Sequence, residues 1–143
     1  MREFKVELIP ILMGKVEKEF RSKLNDELKD SPAKGKDVVY LLILSQYEGC
    51  TLKDLTELSS FDKAYTTNAI KKLGELGFVF CDKKNADSRK FSIYLTDEGK
   101  AYVKFVNEKA NKIRKDIFSF LTDAEIDSMN HIAMKIGDYF WRK

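Results

Sequence analysis

The sequence has little of what many specialised protein classes require. Two cysteines in 143 residues cannot build a disulfide scaffold, so a reducing, cytoplasmic setting is expected. A single histidine and no Cys/His cluster argue against a zinc site, and no metal or cofactor is expected. Seven glycines and two prolines are too few for a loop-rich or collagenous chain. No apolar run approaches the roughly 20 residues of a membrane span, so no membrane partner is expected. The charges in Met1-Arg2-Glu3-Phe4-Lys5 come too early for a signal peptide. A Gly-rich phosphate loop, a nucleophile motif and an acid–base constellation are all missing, which argues against an enzyme. Charge of one sign is scarce too: 26 Lys and Arg stand against 23 Asp and Glu, a formal +3.

Apolar material is plentiful. Hydrophobic residues make up 43% of the chain and aromatic ones 12%, enough to close one core, so a single domain over 1–143 is expected and disorder is excluded as the main state. The small charge excess is local. Between residues 60 and 95, seven basic side chains (Lys63, Lys71, Lys72, Lys83, Lys84, Arg89, Lys90) face four acids (Asp62, Glu75, Asp82, Asp87), which accounts for the whole +3. A concentrated positive stretch on a neutral body attracts polyanions. A solvated basic face gives the same count.

Periodicity supplies the elements. Leu8, Ile9, Leu12, Val16, Phe20, Leu24 and Leu28 recur at spacings of three and four, predicting an amphipathic helix over about 7–29 with Pro10 in its first turn. Asp30-Ser31-Pro32-Ala33-Lys34-Gly35 reads as a loop. The apolar run Val38–Leu44 fits a strand or a buried helix by periodicity, and the helices after it favour the latter. Thr51-Leu52-Lys53-Asp54 is a capping-box variant that starts a short helix with Leu52, Leu55 and Leu58 inward. After Ser59-Ser60-Phe61-Asp62 a second helix runs to Leu76, with Thr66, Ala69, Ile70, Leu73 and Leu76 inside and Gly77 ending it. Two such helices joined by a tight polar turn outline a helix-turn-helix.

Phe78-Val79-Phe80-Cys81 and Phe91-Ser92-Ile93-Tyr94-Leu95 then predict a hairpin with a long basic tip. Thr96 caps another helix with Tyr102, Phe105, Val106, Ile113, Ile117 and Leu121 on its apolar face. Thr122-Asp123-Ala124-Glu125 is a full capping box before a narrow seam of Ile126, Met129, Ala133, Ile136 and Phe140. The expected fold is mainly α with a small β-hairpin wing. A winged helix-turn-helix at 36–96 is flanked by helical dimerisation regions at 1–30 and 97–143.

The stretch Asp87-Ser88-Arg89, followed after five residues by Leu95-Thr96-Asp97-Glu98-Gly99, resembles the wing signature of the MarR family of transcriptional regulators. Asp62-Lys63-Ala64-Tyr65-Thr66-Thr67-Asn68, continuing to Leu73 and Gly77-Phe78-Val79, is similar to the family's recognition helix and its exit. Specific residues carry the resemblance from about 52 to 99. It implies that Arg89 enters the minor groove, for which a planar guanidinium is suited, and that Asp87 shapes the wing. The pair taken alone also fits a surface ion pair. Leu95, Thr96 and Gly99 read as core residue, helix cap and close-packing glycine.

The recognition helix offers Lys63, Ala64, Tyr65, Thr67, Asn68, Lys71 and Lys72 on its outer face. Asn68 suits a bidentate contact to adenine, and Ala64 or the Thr67 methyl suits a thymine methyl. Lys63, Lys71 and Lys72 suit phosphates. Tyr65 fits either a base or backbone contact or packing against the core. Many family members carry arginine at the position of Asn68 and on the wing strand near Cys81, so base preference is expected to differ; Lys83 and Lys84 supply charge beside the wing.

The resemblance implies a homodimer on double-stranded DNA at a pseudo-palindromic operator, usually as a repressor, with a small-molecule or redox effector. The outer helices carry more apolar stripe than a lone winged helix absorbs; the alternative is a monomer with a larger helical core. Cys50 and Cys81 read as small hydrophobes or as oxidant sensors. His131 falls off the apolar seam and reads as solvated. The competing function is a winged-helix protein–protein interaction module without DNA binding.

Overall fold

The computed structural model describes Glu3, residues 5–82 and residues 91–141. A single helical turn, Val6–Leu8, leads into α1 (Ile9–Leu28), then α2 (Asp37–Gln46), α3 (Leu52–Ser59), α4 (Lys63–Glu75), β1 (Val79–Asp82), β2 (Ser92–Leu95), α5 (Asp97–Ile117) and α6 (Asp123–Phe140). This is the expected mainly helical chain with a two-stranded antiparallel hairpin, in register from Val79 opposite Leu95 to Asp82 opposite Ser92.

The ambiguous apolar run is the helix α2, and it forms the centre of the core. Val38, Tyr40, Leu41, Ile43 and Leu44 are all buried, so nearly every side of the helix is covered, which is why its sequence shows no amphipathic period. It packs against α3, α4, α5 and β2. Leu55 of α3, Thr66, Ala69, Ile70 and Leu73 of α4, and Ile93 and Leu95 of β2 close around it.

Local chemistry sets the boundaries. The Thr51 hydroxyl accepts from Asp54 N at 3.1 Å while Asp54 Oδ2 accepts from Thr51 N at 3.0 Å, completing a capping box. Ser60 turns the chain with a left-handed φ of 61°, and Asp62 Oδ1 accepts from Tyr65 N at 2.7 Å to start α4. At the other end Gly77, at φ 80°, lets Phe78 N reach Leu73 O and Gly77 N reach Gly74 O, each at 3.0 Å. That pair of bonds is a Schellman closure, and it aims the chain into β1.

Thr96 joins the hairpin to the helices. Its hydroxyl donates to Gly77 O at 2.6 Å and accepts from Gly99 N at 2.9 Å. Tyr102 of α5 stacks on Phe78 with centroids 4.7 Å apart and donates its hydroxyl to Ala33 O in the loop after α1.

Three features differ from expectation. Leu76 is 38% exposed: it is the cap residue after Glu75, and the turn at Gly77 carries the chain away before another element can cover it. Phe105, expected on the apolar face of α5, is also exposed. Cys50, expected only at a helix end, forms an isolated bridge with Ile93, in which Ile93 N donates to Cys50 O at 2.8 Å and Gly49 N to Ile93 O at 3.0 Å. The segment before α3 therefore borders β2 on the side away from β1.

The outer helices behave unlike the middle of the chain. In α1 only Leu24 and Leu28 are buried, where the helix packs on α5. Earlier positions such as Ile9, Ile11 and Met13 are exposed, and α6 buries none of its residues. Its Thr122–Glu125 capping box is nonetheless complete, so the helix is locally specified even though its own chain leaves it uncovered.

Candidate nucleic-acid interface

The inner face of α4 is anchored by a buried hydroxyl. Thr66 donates to Asp62 O at 2.9 Å, so its one proton is committed and Tyr40 is the donor in the 2.9 Å Tyr40–Thr66 contact. With Ala69, Ile70 and Leu73 buried beside it, the roll of the helix is fixed. That leaves Lys63, Ala64, Thr67, Asn68, Lys71 and Lys72 exposed on the opposite side. Thr67 donates its hydroxyl to Lys63 O at 2.9 Å, so the proton is spent within the helix. Asn68 is exposed on the same surface, and its amide offers both a donor and an acceptor.

Two members of the expected set are engaged within the protein. Tyr65 is half-buried: its ring stacks on Tyr40 at 6.3 Å and meets the edge of Phe61 at 5.8 Å. Its hydroxyl donates to Asp37 Oδ1 at 2.9 Å. Burial pushes the phenol up to about 12, helped by the bond to Asp37 and that residue's negative charge. Of the two alternatives for Tyr65, packing describes the ring. Lys72, expected to meet a phosphate, donates to Asp37 Oδ2 at 3.3 Å.

Asp37 and Lys36 were not legible as part of this site. Asp37 begins α2 and is 8% exposed, a favourable place for a carboxylate because the helix N-terminus is partially positive. Lys36 places its ammonium 5.3 Å from the Phe61 ring and 5.6 Å from the Tyr65 ring, a pair of cation–π contacts. An acid immediately before an apolar run was the available signal for Asp37.

The base of the wing is formed by β1 and β2, with Phe80 stacked on Tyr94 at 5.6 Å. Lys83, Lys84, Asp87 and Arg89 lie outside the described residues. Lys53 is exposed near the start of α3. Cys50 is buried and Cys81 exposed, and His131 is exposed on α6. Among the described residues no group of His, Cys, Asp and Glu is placed to hold a metal ion, and no helix is long and apolar enough to cross a membrane. Between α1 and α2 lies a cavity of about 160 Å³, lined by Phe20, Leu24, Val38, Val39, Leu42 and Phe61 among others.

Comparison with known proteins bears on this arrangement. Residues 36–91 match the MarR family, a span that runs from the start of α2 into the hairpin. The HTH-type transcriptional regulator TcaR of Staphylococcus aureus (strain Newman) is 33% identical over 92 residues, covering 63% of this chain and 61% of TcaR. The match therefore spans less than two thirds of that relative. The whole fold is matched by a MarR-family regulator from Silicibacter pomeroyi at a TM-score of 0.78 and 20% identity, covering 99% of each chain. BpsR of Bordetella bronchiseptica, whose DNA binding is regulated by 6-hydroxynicotinic acid, matches at a TM-score of 0.71 and 22% identity, covering 96% of this chain and 99% of BpsR. The family match over residues 36–91, the curated relative and the shared winged-helix fold agree: over that segment the chain is similar to the MarR family, and the curated relative it matches is a transcriptional regulator.

Proposed function

We propose that this protein is a sequence-specific double-stranded DNA-binding regulator that acts as a homodimer on a pseudo-palindromic operator, as a repressor. The observation that carries the reading is α4: one face is locked into the core by Thr66, Ala69, Ile70 and Leu73, and the other presents Lys63, Ala64, Thr67, Asn68 and Lys71 to solvent. A recognition helix needs that combination, a fixed roll and an outward row mixing base-reading and phosphate-binding groups. Lys83, Lys84 and Arg89 would add wing contacts to phosphates and the minor groove, with Asp87 shaping the wing.

Uncovered apolar surface supports the dimer. Ile9, Ile11 and Met13 near one end of the chain and Ile136, Tyr139 and Phe140 near the other are all exposed. Pairing these helices about a two-fold axis removes that surface from water and presents two recognition helices. Half-sites would then lie about one DNA turn apart, roughly 34–36 Å. A small-molecule effector fits the same scheme. The DNA binding of BpsR is regulated by 6-hydroxynicotinic acid, and the cavity between α1 and α2 adjoins a pairing helix and, through Phe61, the turn that leads into α4.

The test is an electrophoretic shift and footprint on genomic fragments, including the gene's own upstream region, across a range of salt. A protected palindrome whose affinity falls steeply with salt supports the reading. Loss of binding without loss of the dimer in Asn68→Ala/Arg89→Ala supports it further. Absence of salt-sensitive binding to any duplex overturns it in favour of a protein–protein interaction module.

A further inference from the structure

Lys72 is two-thirds exposed on the recognition helix, and exposure alone would count it among the phosphate contacts. Its partner argues otherwise. The Asp37 side chain is only 11% exposed, and its two oxygens are taken by two residues of α4, Tyr65 on Oδ1 and Lys72 on Oδ2. We propose that Asp37 is a positioning residue for the DNA-reading face: it pins Tyr65 and Lys72 to α2 and withholds both from DNA, so that contact falls on Lys63, Ala64, Thr67, Asn68 and Lys71. The inference rests on the DNA-binding reading above.

Asp37 and a DNA phosphate compete for one ammonium group, that of Lys72. Should Lys72 move to a DNA phosphate, a largely desolvated carboxylate would keep only a neutral phenol as its side-chain donor. Leaving a mostly buried carboxylate without its counter-ion costs more than a solvent-exposed ion pair returns. The Asp37 charge also repels a phosphate approaching Lys72. An open groove beside Asp37 is lined by Glu75 as well as by Lys71 and Lys72, so acids and bases offset each other toward the C-terminal end of α4. Lys63, Ala64, Thr67 and Asn68 occupy the N-terminal half, the end by which recognition helices commonly meet base edges.

Salt dependence reads this directly, because each phosphate neutralised by a side chain contributes about 0.9 to the slope of log affinity against log salt. The full chain and its variants are titrated with one footprinted operator duplex. Lys71→Gln removes one phosphate contact in each half-site and is expected to flatten the slope by about 1.8 per dimer, whereas Lys72→Gln leaves it unchanged. Asp37→Asn keeps the shape and an acceptor for Tyr65 but frees Lys72 in both protomers, and is expected to steepen the slope by about 1.8 per dimer. Asp37→Asn/Lys72→Gln should then return it to the parent value, a reversal that general loosening of the fold would not produce. A Lys72→Gln slope flattened like that of Lys71→Gln overturns the inference while leaving the DNA-binding reading intact, as does an unchanged slope in folded Asp37→Asn. Because Lys72 is exposed, its variant decides the matter even if Asp37→Asn fails to fold. A parent protein without salt-dependent binding overturns both.

Discussion

Gly99 lies so close to the Phe78 carbonyl that a Cβ added to it would fall 2.1 Å from that oxygen. The contact is backbone on backbone, so a flexible side chain cannot yield to relieve it. Phe78 O also accepts from Thr96 N at 3.0 Å, which ties the first turn of α5 to the strand leaving α4. Gly99→Ala is therefore expected to destabilise the protein by about 1–3 kcal/mol, the range for overpacking a tight contact, and to disturb the wing base. Urea denaturation at fixed protein concentration checks the first. A midpoint equal to the parent's would show that the helix shifts at no cost.

The phenol of Tyr65 should ionise at about 12 rather than near 10. Its folded value is raised, so the sign is fixed. Below about pH 10 the phenol is protonated in both folded and unfolded chains and its stabilising contribution is intact. Between about 10 and 12 the unfolded chain has lost a proton that the folded one holds, and stability falls as pH rises. Tyr102 is raised as well, by burial, so more than one late-titrating phenolate is expected in ultraviolet absorbance. Tyr65→Phe should remove one late component and flatten the fall in stability over that window. A difference spectrum with an ordinary midpoint would contradict the packing against Asp37.

Much of the fold was legible because the chain punctuates itself. Thr51 with Asp54, Asp62, Gly77, Thr96, and Thr122 with Glu125 mark helix ends by local chemistry within a few residues, and the structure uses each of them. Contacts across long separations left no such trace. The bonds from Tyr65 and Lys72 to Asp37 span 28 and 35 residues, and no spacing rule within a helix predicts them. The bridge from Cys50 to Ile93 is too short to have a period. Of the expected contact residues, the outward row on α4 followed from the helical repeat. The inward turn of Tyr65 did not, since an aromatic ring between a polar and an apolar face suits both.

The pairing surface makes a separable prediction. Since α6 buries nothing within its own chain, a charge placed on its seam should cost the monomer little. In a dimer interface it would be desolvated without a partner. Ile136→Glu and Phe140→Glu are expected to convert a dimer to a monomer, read by light scattering after gel filtration, with little change in helical circular dichroism. Operator affinity should fall at least tenfold in consequence, because one module must then bind a single half-site. A variant that remains dimeric would place the interface elsewhere.

Base reading and phosphate binding should separate along α4. Asn68 presents an amide that can donate to and accept from one adenine, and losing such a bidentate contact costs about 1–3 kcal/mol of discrimination at one base pair. Asn68→Ala is therefore expected to relax preference at one position of each half-site while leaving the salt slope alone. Lys63→Gln, which removes charge from the start of the same helix in both protomers, should instead weaken all duplexes alike and flatten the slope by about 1.8 per dimer. Affinities for a set of single-substitution operators, measured at two salt concentrations, distinguish the two. A uniform loss across the set for Asn68→Ala would mean that its amide meets the sugar-phosphate backbone, and that the apolar pair Ala64 and Thr67 carries the sequence preference.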